Sequence, residues 1–362
     1  MGALHPLEMD YYYTPQGEPN SEVQALGDCY TRNIFFMLKK ELKNSNLSYK
    51  MFLDDFNLKI VKDLANYPLD VKLNNIKSPE DYVIKSNQHT FNNDAPSAID
   101  KLETLLANGE VVFVNTFMKK VPYYKTYELN SAYETEAAID GHIFLILGQT
   151  DTDFYFLDNH INYNPQFFKP YLVNKGIGQD TKHSFMNAFN HQFNCFTIHP
   201  NQDELHDLPD RVPKIFKQTL ENYYKPDSIV DGYIECFGRS AILELNNLLA
   251  SGLIPLNRKI PNRIHDAYSL LHTILNRHSD RKKVLISLLS SSTNSNTLNE
   301  IIQTTQQAIK QWDLLRKYLT KQYLTKNFTL SHSFEERMNN ALLAEDQFFQ
   351  SIEKNIDTLN RI

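Results

Sequence analysis

Four residues of this 362-residue chain have the types and order that nucleophilic acyl chemistry needs: Gln24, Cys29, His142 and Asp158. A thiol attacks only as the thiolate, so it needs a setting that lowers its pKa and a base that holds the proton. Cys29 follows Asp28, a competent N-cap, and is expected in the first turn of a helix. There the unpaired backbone N–H groups and the positive end of the helix dipole favour a thiolate. The Asp28 carboxylate pulls the other way, and a protonated histidine would offset it. The plainer alternative is a small buried cysteine on a helix.

His142 opens the segment His142-Ile143-Phe144-Leu145-Ile146-Leu147-Gly148-Gln149-Thr150, and Asp158 closes the strand pattern that follows it. Together they read as a β-hairpin. With its turn centred on Thr150, Gly148 pairs with Thr152 and His142 with Asp158. Directly opposed residues share a face, with Cβ atoms roughly 5 Å apart. Asp158 can then accept from one ring nitrogen and leave the other for a thiol. A turn displaced by one residue would take the pair off register, and an ordinary cross-strand His–Asp contact is the plainer alternative. Gln24, five residues before Cys29, can supply an amide donor to an oxyanion beside the backbone N–H of Cys29.

Such groups need a helix for the thiol and a sheet for the base. Ile34, Met37, Leu38 and Leu42 recur at the spacing of one buried helix face, which Asn44-Ser45-Asn46 would end. Further helices are predicted over 50–64, 98–107 and 180–189, and strands over 111–114, 143–147, 154–157 and 196–198. Helix first, then a meander of antiparallel strands, is an α+β order. From about Pro209 helical periodicity takes over, at 214–224, 239–250, 262–276, 281–289, 298–319 and 333–359. The expected division is a domain over 1–205 and a mostly α-helical domain over 206–362.

Composition narrows the function classes. Hydrophobic content of 41% and charged content of 22% suit a soluble globular chain with one large or two moderate cores. Residues 1–200 carry 17 Lys and Arg against 24 Asp and Glu, within a net charge of −6, which speaks against nucleic acid as a partner. Arg277, Arg281, Lys282 and Lys283 form a basic cluster, read as a solvated helix face or else as a docking patch for an acidic partner. Three cysteines are too few and too scattered for a disulfide framework or a zinc site. Cys195 reads as core, and Cys236 as a packing residue or, less readily, a second thiol. Neither an apolar signal core nor an apolar run of roughly 20 residues is found, so a cytoplasmic protein without membrane association is expected. No metal-ligand spacing and no Gly-rich phosphate loop implies a cofactor, and the oligomeric state is left open.

The order Gln24, Asp28-Cys29, Gly141-His142 leading a strand and Asp158-Asn159 ending the next resembles the papain-like superfamily. It is similar to the leader peptidases of bacteriocin exporters, and closer to the N-terminal domain of the butirosin biosynthesis protein H family. The stretch Glu235-Cys236-Phe237-Gly238-Arg239-Ser240 also resembles the glycine-containing helix start of the domain that follows in that family. The likeness spans most of the chain through a few short motifs. The acidic residue before Cys29, where butirosin-like sequences often have histidine, keeps substrate identity from carrying over.

This resemblance implies a papain-like fold, with a helix bearing Cys29 and an antiparallel sheet bearing His142 and Asp158. It also implies an acyltransferase, or amide synthase, of secondary metabolism. An acyl group on the phosphopantetheine arm of an acyl carrier protein would pass to Cys29 and then to an amine, without a resident cofactor. His142 would be the base, Asp158 its orienting partner and Gln24 the oxyanion donor. Two other classes fit the same residues: a cysteine hydrolase (peptidase, deamidase or thioesterase), and a non-catalytic binding scaffold.

Overall fold

A computed structural model describes residues 33–34, 37–38, 49–50, 52–63, 69–70, 84–117, 120–123, 141–158, 172–174, 177–201, 208–253, 255–258, 266–291, 295–328, 330 and 332–362. Its first strands are β1 (Lys59–Asp63), β2 (Leu69–Asp70) and β3 (Ile84–Asn92). Helix α1 (Ala95–Ala107) leads into β4 (Val112–Phe117), β5 (Gly141–Gln149), β6 (Asp153–Leu157), β7 (Leu172–Asn174) and β8 (Ile177–Thr181). The short α2 (Lys182–Ala188), β9 (Gln192–Pro200), α3 (Leu208–Tyr223), β10 (Ser228–Val230) and β11 (Tyr233–Phe237) follow. The chain closes with α4 (Gly238–Ala250), α5 (Ala267–Ser290), α6 (Ser295–Leu324), α7 (His332–Lys354) and α8 (Ile356–Leu359). The fold is α+β, all described strand pairs are antiparallel, and the C-terminal region is helical.

Two compact units emerge, one of Met1–Lys43 and Pro79–Asn201, the other of Asn44–Ser78 and Gln202–Ile362. A single division near residue 205 therefore misplaces the segment carrying β1, which belongs to the second unit. The helix expected over 50–64 is also corrected. Phe52, Leu53, Phe56 and Ile60 are buried at a helix-like spacing, yet Lys59 to Asp63 pair as strand with β11. Ladder bonds to a distant strand override the local period here.

In the first unit seven strands run in the order β3-β9-β4-β5-β6-β8-β7, which puts β5 at the centre. Strand β5 is buried from His142 to Gly148, as its continuous apolar run requires. Asp94 caps α1 by accepting from Ser97 N (3.2 Å). Ala98, Ile99 and Leu102 of α1 join Val114, Phe144, Phe156 and Phe185 in one apolar core against the sheet. Strands β3, β7 and β8 lack a clear alternating apolar pattern. The expected helix over 180–189 starts two residues late because 180 and 181 still belong to β8.

The second unit has its own four-stranded sheet, β10-β11-β1-β2, which helical periodicity gave no sign of. Gly238 joins β11 to α4 with φ +50°. A Cβ there would lie 2.4 Å from Tyr223 Cα and 2.8 Å from Asn57 Oδ1, so only glycine fits. Helices α5, α6 and α7 pack in succession around Trp312, Leu271, Leu285 and Phe348. The gap expected between helices at 277–280 does not exist, and α5 runs through it. His278, Ser279, Asp280 and Lys282 are buried there. Among the described residues no helix is long and apolar enough to cross a membrane.

Candidate active site

Gln24 and Cys29 lie outside the described residues, so the site is built here from its base. His142 stands near the start of β5, directly opposite Thr116 of β4. Asp158 is the first residue beyond β6. His142 is 1% exposed and Asp158 0%, and Nε2–H of His142 donates to Asp158 Oδ2 at 2.5 Å. A carboxylate offers no proton of its own, so the proton of this bond sits on Nε2.

The pair meets by a different register from the one expected. Leu145 faces Leu157 and Ile146 faces Phe156, after which the register shifts so that Gly148 faces Tyr155 and Gln149 faces Phe154. The turn is closed by Thr150 N donating to Asp153 O (2.9 Å). Continued one step past Leu157, the ladder brings Asp158 level with Phe144, two residues from His142. Gly148 is not paired with Thr152, nor His142 with Asp158. The contact is diagonal, within reach of two long side chains on one face. The irregularity at Leu147 decides this. It changes the register by one residue, and without that change Asp158 would point to the opposite face.

A third group completes the described part of the site. Tyr123, 0% exposed, donates its hydroxyl to the same Asp158 Oδ2. Its ring stacks on Phe156 of β6, with centroids 4.7 Å apart and planes 2° from parallel. Such a pair contributes about 0.5–1.5 kcal/mol beyond the area it buries, and it holds the hydroxyl over the carboxylate. Phe144, next along the face from His142, lies edge-on to Phe156 and stacks loosely on the imidazole, 6.3 Å away.

Two further contacts reach this end of the sheet. The Asn33 amide donates to the carbonyl of Ile143, the residue after His142 (3.3 Å). Asn33 is buried and helical, as are Ile34, Met37 and Leu38. On the other flank, Thr116 Oγ1 and His191 Nε2 are 2.7 Å apart. Burial, and then the charge of Lys120, push the His191 imidazole below its ordinary range. Sequence reasoning missed Tyr123, Asn33 and His191. Asn33 did carry a signal, as a polar residue within an apolar helix face four positions after Cys29. Nothing in the spacing ties Tyr123 to Asp158.

No protein-family model matches this sequence, and no curated protein matches it significantly. The reading of the site therefore rests on its own geometry and on the residues quoted above. Among the described residues no three His, Cys, Asp or Glu side chains are grouped to hold a metal ion.

The other cysteines do not suit nucleophilic work. Cys195 is buried in β9, where burial pushes its thiol up to about 12. Cys236 lies in β11, not at a helix start, and burial, followed by the charge of Asp227, pushes it up to about 11. The basic cluster is corrected too. Lys282 is buried against Glu345 (2.9 Å), Lys283 pairs with Asp280 (2.9 Å), and Arg281 donates to Asp55 O (2.9 Å).

Proposed function

We propose that this chain is a cysteine-dependent acyltransferase of the butirosin biosynthesis protein H kind, built on a papain-like site. The observation that carries it is the buried His142–Asp158 pair, in which a carboxylate fixes the protonated nitrogen of a histidine at the end of a central strand. With Nε2 turned to Asp158, Nδ1 is the nitrogen that would face a thiol. Asn33, four positions after Cys29, reaches the backbone beside His142, and this supports placing the thiol at the same end of the sheet.

In this reading His142 takes the proton of Cys29, and Asp158 stabilises the imidazolium. The thiolate adds to the carbonyl carbon of an acyl thioester on a carrier protein's phosphopantetheine arm. The oxyanion is held by the Cys29 N–H and the Gln24 amide. Collapse expels the carrier thiolate, which takes the proton from His142, and leaves acyl-Cys29. An amine then attacks, His142 accepts its proton, and Cys29 leaves as the amide forms. One thioester replaces another in the first half, so the amide bond formed in the second drives the sequence.

Intact-protein mass spectrometry after exposure to acyl thioesters, with Cys29→Ala alongside, tests this. An adduct on the wild type alone, discharged faster by amine than by water, is the expected result. Rapid discharge by water would make the protein a hydrolase. No adduct with any thioester would overturn the acyl-enzyme, leaving peptide cleavage or a binding scaffold.

A further inference from the structure

We infer that Tyr123 is a positioning residue of this site, acting on His142 through Asp158. The inference rests on the function proposed above for its purpose, though not for its geometry. Tyr123 and His142 donate to the same oxygen, Asp158 Oδ2, and all three side chains are buried. Each donor limits the other. The hydroxyl fixes the carboxylate so that Oδ2 meets Nε2, and it takes up part of the negative charge that would otherwise act on the imidazole. The base is thereby oriented but not locked as a permanent imidazolium, which a group that must accept and return a proton requires.

The ring of Tyr123 is set for this task from two sides. It lies flat on Phe156 and edge-on to Phe144, centroids 4.7 and 6.3 Å away, so the hydroxyl has little freedom to swing off the carboxylate. Among the described residues, the other groups around His142 on the packed elements are Thr116 on β4, with His191 bound to it, and the Asn33 amide at the Ile143 carbonyl. Lys120 acts electrostatically on His191. Of these, Tyr123 is the described side chain that shares Oδ2 with the imidazole.

The test is the titration of His142 in the full chain, labelled with 15N-histidine and assigned by the resonance that His142→Gln removes. In Tyr123→Phe the carboxylate regains the part of its pull on the imidazolium that the hydroxyl had taken up. The His142 midpoint should therefore rise by about half to one pH unit, less than the full worth of a hydrogen bond to a charged group because only part of that effect reaches the imidazole. The shift should vanish when Tyr123→Phe is made on Asp158→Asn, because the path runs through the carboxylate. His191→Gln, measured alongside, separates the second titration. If Tyr123→Phe fails to fold, 3-fluorotyrosine placed at 123, a stronger donor, should move the midpoint down instead. An unchanged midpoint, or an equal shift on Asp158→Asn, overturns the inference. Failure of acyl-Cys29 formation in the same preparation would remove the proposed reaction and leave this coupling measurable by itself.

Discussion

Among the described residues two buried histidine–carboxylate pairs occur, and they differ in what else holds the carboxylate. In the first unit Asp158 Oδ2 accepts from His142 and from the Tyr123 hydroxyl. In the second, Glu345 Oε1 contacts His278 Nε2 (2.8 Å) and accepts from Lys282 Nζ (2.9 Å) and the Trp312 indole. Lys282 Nζ also lies 2.8 Å from His278 Nε2, so this nitrogen either accepts from the ammonium or donates to the carboxylate. Whichever holds, His278 Nδ1 has no hydrogen-bond partner among the described residues. The second pair joins α5, α6 and α7 by charge neutralisation deep in a bundle. The first sits near the start of β5, where the described partner beside the histidine is a hydroxyl. A His–carboxylate contact is thus no sign of catalysis by itself, and the third partner and the position in the fold decide its use.

The titration of the two second-unit groups follows from that setting. Burial, then the charge of Lys282, push the His278 imidazole down to about 4. Burial alone would raise the Glu345 carboxyl, but the charge of Lys282, joined by His278 once it is protonated at acid pH, outweighs it and holds it below its ordinary range.

The comparison is broken most severely at Cys29 and His142. Cys29→Ala should abolish acyl transfer without loss of helix content by circular dichroism. His142→Ala should slow the reaction by about 10²–10⁴-fold, the usual worth of a general base, and Asp158→Ala by less. Equal turnover by all three in a thioester assay would end the triad. Glu345→Gln should instead leave any such turnover by the folded protein intact. It should lower stability in urea unfolding by about 3–5 kcal/mol, because Lys282 would keep a buried charge without its counterion. Removing the whole cluster together, as His278→Leu, Lys282→Met and Glu345→Leu, should be near neutral, since no charge is then stranded. A large loss in that triple variant would mean that the cluster does more than hold helices together.

Smaller effects sharpen the contrast. Gly238→Ala should cost about 2–4 kcal/mol, from a positive φ and a Cβ driven into Tyr223. The pH dependence carries a definite sign. His278 is neutral in the fold and binds a proton in the unfolded chain once the pH drops below its ordinary value of 6.5. Its share of stability is therefore present above 6.5 and is lost as the pH falls towards about 4. Glu345, also depressed, adds a loss at more acid pH. Urea midpoints measured from pH 7 to 4 should fall, and His278→Gln should flatten that window. An unchanged slope in that variant would assign the acid sensitivity elsewhere.

Much of this could be read from the residues. Hydrophobic runs marked β4, β5, β6 and β9, because central strands buried on both faces are continuous and apolar. The 3.6-residue period marked α1, α4, α6 and α7, whose apolar stripes are long. The edge strand β3 (Ile-Lys-Ser-Asn-Gln-His-Thr-Phe-Asn) was invisible, since most of its side chains face water and its pairing with β9 is a backbone matter. The polar run at 277–280 reads as a gap between two helices because the partner of His278, Glu345, is 67 residues away in sequence.

The sequence by itself determined the chemistry available: a cysteine after a residue of N-capping type, and a histidine and an aspartate at the two ends of one hairpin. Residue types and local periods are encoded locally, and they suffice to nominate those groups. Only the tertiary structure decided that His142 and Asp158 meet, because their shared face depends on a one-residue irregularity at Leu147 that no alternation pattern reveals. It alone brought Tyr123 onto the same carboxylate oxygen, and it alone made Lys282 a buried counterion and not a surface charge. Contacts between distant segments are set by packing the whole chain at once, and local spacing carries no record of them.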